Sequence, residues 1–210
     1  DADSTTLTLN VIDKVDTTLS IETDKATALT PVNITGKLTD GEGNAIAGED
    51  VTVTIDGSDY TVTTGEDGNY SVEYTPANTD DINVSVDYAG NEKYNPFTQN
   101  ATITVESKEI EMTVEPESIT GKVDDEITVK VSFNDENINS GVVTLTDEDG
   151  NILAVMDVED GAANATIVFD KSYEGDIIAS YRGDKNYDVD DVTVPADIDT
   201  LTARITIDPI

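Results

Sequence analysis

The chain has 210 residues and carries 45 acidic against 11 basic side chains, which gives a formal net charge of −34 at pH 7. A surface this negative repels phosphate backbones and anionic lipid headgroups, which argues against nucleic acid and membrane binding. The chain has no cysteine and no histidine, so the usual nucleophile and base pairs of enzymes are missing, and we expect a non-catalytic protein without a cofactor.

The first segment, residues 1–13, contains an alternating run in which Leu7, Leu9 and Val11 are apolar. The same pattern recurs at Ala101–Val105 and at Leu201–Ile207, where it closes each later unit. We therefore interpret residues 1–13 as the closing strand or tail of a preceding repeat, and the chain as an excerpt from a longer tandem array. The alternative is a strand that pairs within the first domain.

The first complete unit is expected to span residues 14–106. Its apolar residues alternate with polar ones in short runs separated by turns such as Asp56-Gly57 and Asp67-Gly68, a pattern that predicts an antiparallel sandwich of about seven strands. The runs are Leu19–Ile21, Val32–Leu38, Val51–Ile55, Tyr60–Val62, Tyr70–Tyr74, Ile82–Tyr88 and Ala101–Val105.

A seven-residue motif follows the sixth run and defines the repeat. It has the form Tyr-x-Gly-(Asn/Asp)-x-x-Tyr, and its second copy begins 93 residues after the first. Self-similarity over such a distance indicates a duplicated domain. Its defining positions are Tyr88, Gly90 and Tyr94 in the first copy and Tyr181, Gly183 and Tyr187 in the second.

The second unit is expected to span residues 107–210 and to repeat the same strands. The joining segment, Glu106–Glu109, has no glycine or proline, which favours two domains placed end to end with little slack. Beyond the second motif, the interval from Tyr187 to the closing run at Leu201–Ile207 is longer than in the first unit. We interpret 188–199 as an inserted loop that could carry a binding function, or as a small added edge strand containing Val192 and Val194.

The motif, the threonine-rich closing runs and the upstream positions Gly36, Leu38, Asp40 and Gly43 together resemble the immunoglobulin-like repeats of prokaryotic surface adhesins. The chain looks most like the adhesin-like proteins of methanogenic archaea. The resemblance implies an extracellular, all-β immunoglobulin-like sandwich on the cell surface, whose partners are a protein or glycan of another cell and the neighbouring repeats. The chain lacks the cysteine pair and core tryptophan of antibody domains.

The Asp-Gly dipeptides suggest a calcium site, because carboxylate oxygens are ligands for Ca²⁺. The segment Asp147–Asn151 begins like an EF-hand loop, but Ile152 stands where that loop requires glycine, and we instead expect a type I′ turn at Asp149-Gly150. A denser group of carboxylates follows the second motif and could present several oxygens to Ca²⁺. Its members are Asp184, Asp188, Asp190 and Asp191.

Five Asn-x-(Ser/Thr) triplets could accept glycans in a secreted protein. Each asparagine is out of phase with its apolar neighbours or adjoins a turn, which predicts exposure. They are Asn33, Asn69, Asn83, Asn100 and Asn164.

Two functions follow from these observations. The first is a stalk or adhesive module of a cell-surface adhesin, which presents or contributes a binding surface for attachment to another cell. The second is a ligand-binding module that binds carbohydrate, with or without the assistance of calcium, through the 188–199 segment.

Overall fold

The structure is a computed structural model that describes residues 13–200, and these contain strands, turns and no helix. The residues divide into two compact units, one ending at Glu106 and the other beginning at Ser107. The strands of the first unit are β1 (Thr17–Leu19), β2 (Glu22–Thr23), β3 (Ala26–Thr27), β4 (Val32–Asp40), β5 (Asp50–Ile55), β6 (Ser58–Thr63), β7 (Asn69–Tyr74), β8 (Ile82–Tyr88), β9 (Phe97–Ile103) and β10 (Val105–Glu106). Those of the second are β11 (Lys108–Ile110), β12 (Met112–Glu115), β13 (Ile119–Lys122), β14 (Ile127–Phe133), β15 (Val142–Asp147), β16 (Ile152–Asp157), β17 (Ala162–Ile167), β18 (Tyr173–Arg182), β19 (Tyr187–Val189) and β20 (Val192–Asp199).

Each unit is a sandwich of two sheets whose strands pair antiparallel, apart from the parallel pairs β3–β10 in the first unit and β11–β19 and β13–β20 in the second. In the first unit, β4 pairs with β1, β2 and β7, and the facing sheet has the order β6-β5-β8-β9. In the second unit, one sheet has the order β12-β14-β17 and the other β13-β20-β18-β15-β16. Alternation of apolar and polar residues along these strands lets one face of each sheet meet the other sheet, while the opposite face stays in water.

The first strand of each unit is interrupted, and its pieces pair with different sheets. We call each such crossing of the sandwich, whether interrupted or not, a pass. In the second unit β12 pairs antiparallel with β14, after which β13 pairs in parallel with β20 of the opposite sheet. In the first unit β1 likewise pairs with β4, and β3 pairs in parallel with β10. Each unit therefore has seven strands when an interrupted strand is counted once. The separate strands are more numerous because the first and last strands of each unit are interrupted.

The closing strand of the second unit is β20, Val192–Asp199, and this corrects the interpretation of 188–199 as an inserted loop. Val86 pairs with Gln99 in the first unit, and Ala179 pairs with Val192 in the second, so both partners are displaced by the same 93 residues. No insertion separates the copies. The alternative of an added edge strand is also wrong, because β20 lies between β13 and β18.

The error came from the composition of β20, which contains Pro195 and Asp197 and reads as a loop. Both side chains are on the exposed face, and the alternate residues Val194, Ala196 and Ile198 are buried. The more apolar run Leu201–Ile207, taken as the closing strand, lies outside the described residues. So does the segment 1–12, and with it the predicted tail of a preceding repeat.

Each unit has its own apolar core. In the first, the largest fully buried side chains include Ile34, Leu38 and Ile55, and in the second Ile119, Leu145 and Ile177. In the first unit these residues come from both sheets. In the second unit all three come from the five-stranded sheet and share a core with Val129 and Val131 of the facing sheet, so burial between the sheets holds each sandwich together. At about 25 cal/mol per Å² of apolar surface, such burial is the main stabilising term in a fold that has no disulfide.

One position in this core is filled differently in the two units. In the first unit Gly36 pairs with Tyr70, and a Cβ on Gly36 would overlap the tyrosine ring and the carbonyl oxygen of Ser20. Tyr70 crosses the glycine to donate a hydrogen bond to that oxygen. In the second unit the corresponding pair is Val131 and Ala163. A glycine beside a tyrosine thus replaces two residues of intermediate size.

The Asp-Gly turns are of two kinds. Asp56 and Gly57 both have positive φ, at 47° and 81°, and form a two-residue hairpin turn, and Asp160-Gly161 is alike. At Asp149-Gly150, however, only the glycine has positive φ, so the prediction of a type I′ turn there is wrong. The longer turn is closed by Asp147, whose carboxylate accepts hydrogen bonds from the backbone and side-chain amides of Asn151.

Candidate functional site

The repeated tyrosine motif fastens the turn between the last two passes of the first unit. Tyr88 is buried and donates a hydrogen bond of 3.0 Å to Glu49 Oε2, and Asn91 Nδ2 donates one of 2.8 Å to Oε1 of the same carboxylate. Burial, reinforced by this carboxylate, raises the pKa of Tyr88. Gly90 has a φ of 75°, which glycine adopts without strain. The motif residues are therefore used in packing and turn formation.

In the second copy the motif residues also pack against the unit and form a turn, but their partners are different. Tyr181 donates a hydrogen bond of 3.0 Å to the carbonyl oxygen of Ser140, and its ring lies edge-on to Phe133 with centroids 5.4 Å apart. Gly183 packs against the backbone of Gly141, where a Cβ would collide. Tyr187 lies at the start of β19 and pairs with Lys108.

The four aspartates proposed for calcium are not brought into one group. Asp184 Oδ1 accepts a hydrogen bond of 2.9 Å from the backbone amide of Asn186, and so closes the turn as Asn91 does in the first copy. Asp191 Oδ1 lies 3.8 Å from Arg182 Nη1. Asp188 and Asp190 border a shallow polar depression. Its other acidic residues, Glu109 and Glu111, lie far away in the sequence and were not predicted. Within residues 13–200 no three acidic side chains are grouped so as to hold a metal ion.

The five asparagines of the glycosylation triplets are all exposed. Asn33 and Asn69 lie on neighbouring strands of one sheet in the first unit, while Asn83 and Asn100 lie on neighbouring strands of its other sheet. Asn164 is on β17 in the second unit. An enzyme that attaches glycans could reach each of these side chains, and glycosylation stays a prediction.

A partly buried ion pair fixes the beginning of the second unit. Lys108 Nζ lies 2.6 Å from Asp135 Oδ2, and the aspartate side chain is only 9% exposed. The hydrogen bond from this lysine lowers the pKa of Asp135 to about 2. Since the two residues are 27 positions apart and follow no motif, this contact could not be predicted from the sequence.

The two units are joined through a very short connection. β10 pairs with β3 in the first unit, and β11 pairs with β19 in the second, so Ser107 is the single residue between a strand of one unit and a strand of the next. The predicted joining segment thus contributes hydrogen-bonded strand residues to both units.

No helix long and apolar enough to cross a membrane is present between residues 13 and 200.

No protein-family model and no curated protein matches the sequence. Among solved structures, invasin, a bacterial integrin-binding protein, superposes on 87% of the chain with a TM-score of 0.50 and 18% identity. The chain spans 39% of the length of that structure. Titin domains Z1Z2, solved in complex with telethonin, match 91% of the chain and 100% of their own length with a TM-score of 0.49 and 12% identity.

A 1.5-MDa bacterial ice-binding adhesin matches 90% of the chain and 67% of its own structure, with a TM-score of 0.37 and 16% identity. Scores below 0.5 add no support, and the likeness to invasin at this identity concerns the fold alone. Together with the two-sheet architecture it confirms the predicted fold class: the chain is an all-β protein of immunoglobulin-like β-sandwich domains.

Proposed function

We propose that the chain is a non-catalytic part of an extracellular surface protein, serving as a stalk or adhesive module in attachment to another cell. Its partners would be neighbouring repeats of the same protein and a surface protein or glycan of the other cell. The origin in methanogenic archaea, suggested by the tyrosine motif, belongs to this proposal as well.

The observation that carries the proposal is the duplication of one sandwich with a single residue, Ser107, between the strands of the two copies. Repeating a self-contained domain extends a chain without requiring new chemistry. Two side chains with shifted pKa values serve the fold: Tyr88 fastens a turn, and Asp135 pairs with Lys108. High negative charge keeps such a surface soluble and separate from anionic envelopes.

The function as a carbohydrate binder through 188–199 loses its structural basis, since most of that segment is β20. Deleting it would remove an internal strand and unfold the unit, so deletion cannot test binding. Calcium binding by the exposed carboxylates, which the sequence suggested, is a separate question that the melting experiment in the Discussion tests.

A display experiment tests the stalk. A nanobody is anchored to a cell surface through zero, one or two copies of the 210-residue chain, and capture of antigen-coated beads is counted at equal expression. If the chain is a spacer, capture should increase with each copy, because the nanobody is carried further from the envelope. A glycine- and serine-rich linker with the same number of residues serves as the control, since flexible chains extend less per residue.

Two results would contradict a role as a spacer alone. Capture that does not increase with the number of copies would show that the chain adds no useful reach. Saturable binding of the chain alone to a glycan array or to whole cells, abolished by Asp188→Asn and Asp190→Asn, would restore a ligand-binding role for the predicted acidic residues.

A further inference from the structure

β16 forms an edge of the five-stranded sheet in the second unit and is unusually apolar for an edge. It pairs only with β15, so within the described residues its outer edge has no strand partner. Five consecutive residues, Ile152 to Met156, are apolar. Ile152 is 65% exposed and Val155 58%, the largest values among the large apolar side chains of residues 13–200. Edge strands normally carry charges or proline that discourage pairing with another chain.

The first unit provides a comparison at the same place. There the edge strand is β6, in which Asp59 pairs with Thr54 and Thr61 pairs with Thr52. In the second unit the equivalent pairs are Ile152 with Thr146 and Val155 with Thr144. The inner strand thus keeps its two threonines, while the edge strand exchanges a carboxylate and a hydroxyl for two apolar side chains.

The exchange continues across the same sheet face. Thr54 pairs with Ser85 on β8, whereas Thr146 pairs with Ile178 on β18. Ile178 is partly exposed and lies in the row of paired residues that begins with Ile152. Ile152, Val155 and Ile178 thus lie on one face of the sheet, with Thr146 between Ile152 and Ile178 in their row. The corresponding face of the first unit carries Asp59 and Ser85 at the equivalent positions.

Both ends of β16 are acidic. Residues 131–170 contain nine aspartates and glutamates and no lysine or arginine. Asp149 is exposed in the turn before β16, and Asp157, Glu159 and Asp160 are exposed at its end and beyond. The basic residues that flank this stretch in the sequence are Lys130 and Lys171. Hydrogen bonds from Asn151 lower the pKa of Asp147 at one end of the strand, and Lys171 adds a lesser electrostatic contribution.

We propose that β16 is a docking edge for an extended segment of a partner protein, which adds to the sheet as a sixth strand. The segment would alternate apolar and polar residues in its centre, so that apolar side chains cover Ile152 and Val155, and would carry lysine or arginine at both ends. Main-chain hydrogen bonds give such strand addition its affinity, and alternate side chains give it specificity.

A second copy of the chain fits this edge less well. In an antiparallel pair of two β16 strands, the acidic turn around Asp149 of each copy would lie beside Asp157 and Glu159 of the other. Like charges placed together in this way disfavour the pair, and each molecule also carries a net charge of −34. Basic ends on the partner segment convert this repulsion into attraction.

The test uses the full chain, labelled with ¹⁵N, and three synthetic nonapeptides. The first is Lys-Lys-Val-Thr-Val-Thr-Val-Lys-Lys, the second has glutamate in place of lysine, and the third is the first with proline at its central valine. The lysine peptide at up to about 1 mM should slow hydrogen exchange of the β16 amides saturably. The glutamate peptide should bind at least about tenfold more weakly, and proline should abolish protection because it removes a donor and breaks the strand.

The matched variant is Ile152→Asp with Val155→Thr, which installs the residues of β6 on β16. Both sites are exposed, so the fold should persist while affinity for the lysine peptide falls at least about tenfold. Val168→Thr, which alters an exposed apolar side chain outside β16, should leave the affinity unchanged.

Four results would overturn the proposal: no protection of β16 amides by the lysine peptide, equal protection by the proline peptide, affinity that survives the double substitution, or self-association in sedimentation that the double substitution removes. The last would identify a second copy as the occupant. None of these results bears on whether the chain acts as a spacer, which the bead-capture experiment measures separately.

Discussion

Gly36 is the residue whose replacement the structure forbids most clearly. Any side chain there would collide with the ring of Tyr70 and with Ser20, so the ring has to move or the sheets have to separate. The second unit shows how the same space is filled when the tyrosine is absent, by Val131 and Ala163. Relative to the first unit, the second unit thus carries a larger residue in place of the glycine and a smaller one in place of the tyrosine, and the two changes compensate each other.

We expect Gly36→Val to destabilise the first unit by about 3 kcal/mol through overpacking, and Tyr70→Ala by a similar amount through the cavity it leaves. The double substitution should be less destabilising than the sum by at least about 1 kcal/mol, because it recreates the pair of the second unit. Hydrogen exchange of the β4 and β7 amides measures the first unit alone. Strict additivity of the two effects would contradict this account.

The Lys108–Asp135 pair makes a pH-dependent contribution to the stability of the second unit. Because the folded-state pKa of Asp135, about 2, lies below its ordinary value of 3.8, the contribution is present above about pH 4 and is lost as the pH falls towards 2. Asp135→Asn should reduce the stability of the second unit at pH 7 by about 1 to 2 kcal/mol, and the difference from the parent protein should vanish near pH 2.

Urea denaturation at several pH values, followed through amides of β14 and β18, measures this effect. Glu136→Gln, at the exposed neighbouring position, is the control and should change stability by less than about 0.5 kcal/mol at both pH values. A difference between Asp135→Asn and the parent that persists unchanged at pH 2 would show that its cause is not ionisation of this carboxyl group.

Among the elements, β20 decides what the end of the second unit can do. Its buried residues Val194, Ala196 and Ile198 contact the core, and its neighbours on both sides leave it no freedom to act as a loop. The carboxylates before it, Asp188 and Asp190, are exposed. Substitutions a few residues apart should therefore have very different effects.

Val194→Asp should destabilise the second unit by more than about 3 kcal/mol, because it buries a charge without a partner. Asp190→Asn, on the exposed side, should change stability by less than about 0.5 kcal/mol. Thermal unfolding followed by circular dichroism distinguishes the two outcomes. Comparable small effects at both sites would support the loop interpretation that the structure corrects.

At the scale of the whole molecule, the net charge of −34 should influence stability more than any single ion pair. Like charges spread over the folded surface repel one another, and salt screens them over a Debye length of about 10 Å at 0.1 M. We expect the melting temperature to rise by about 5 °C between about 0.01 M and 0.5 M NaCl.

Calcium should act on this chain through screening alone, so CaCl₂ and MgCl₂ at equal ionic strength should give the same melting temperature. A ligand bound only by the folded state would stabilise it beyond the effect of ionic strength. A larger rise with calcium, lost after Asp188→Asn and Asp190→Asn, would establish the metal site that the sequence suggested.

The sequence by itself determined the fold class and the repeat. Alternating apolar residues at Ile82–Tyr88 or Val51–Ile55 define a sheet face locally, and glycine after aspartate marks the turns, so both can be recognised without long-range contacts. The tyrosine motif fixed the period of 93 residues. The net charge and the lack of histidine and cysteine can likewise be determined from the sequence without a structure.

Only the tertiary structure decided which passes are neighbours and which faces are covered. β20 was misread because Pro195 and Asp197 look like loop residues until its partners β13 and β18 are known, and pairing between distant segments leaves no local signal. For the same reason Asp135 could not be assigned to Lys108, or β16 identified as a free edge. Local patterns establish that a strand exists, whereas its place in the sheet depends on contacts between residues far apart in the chain.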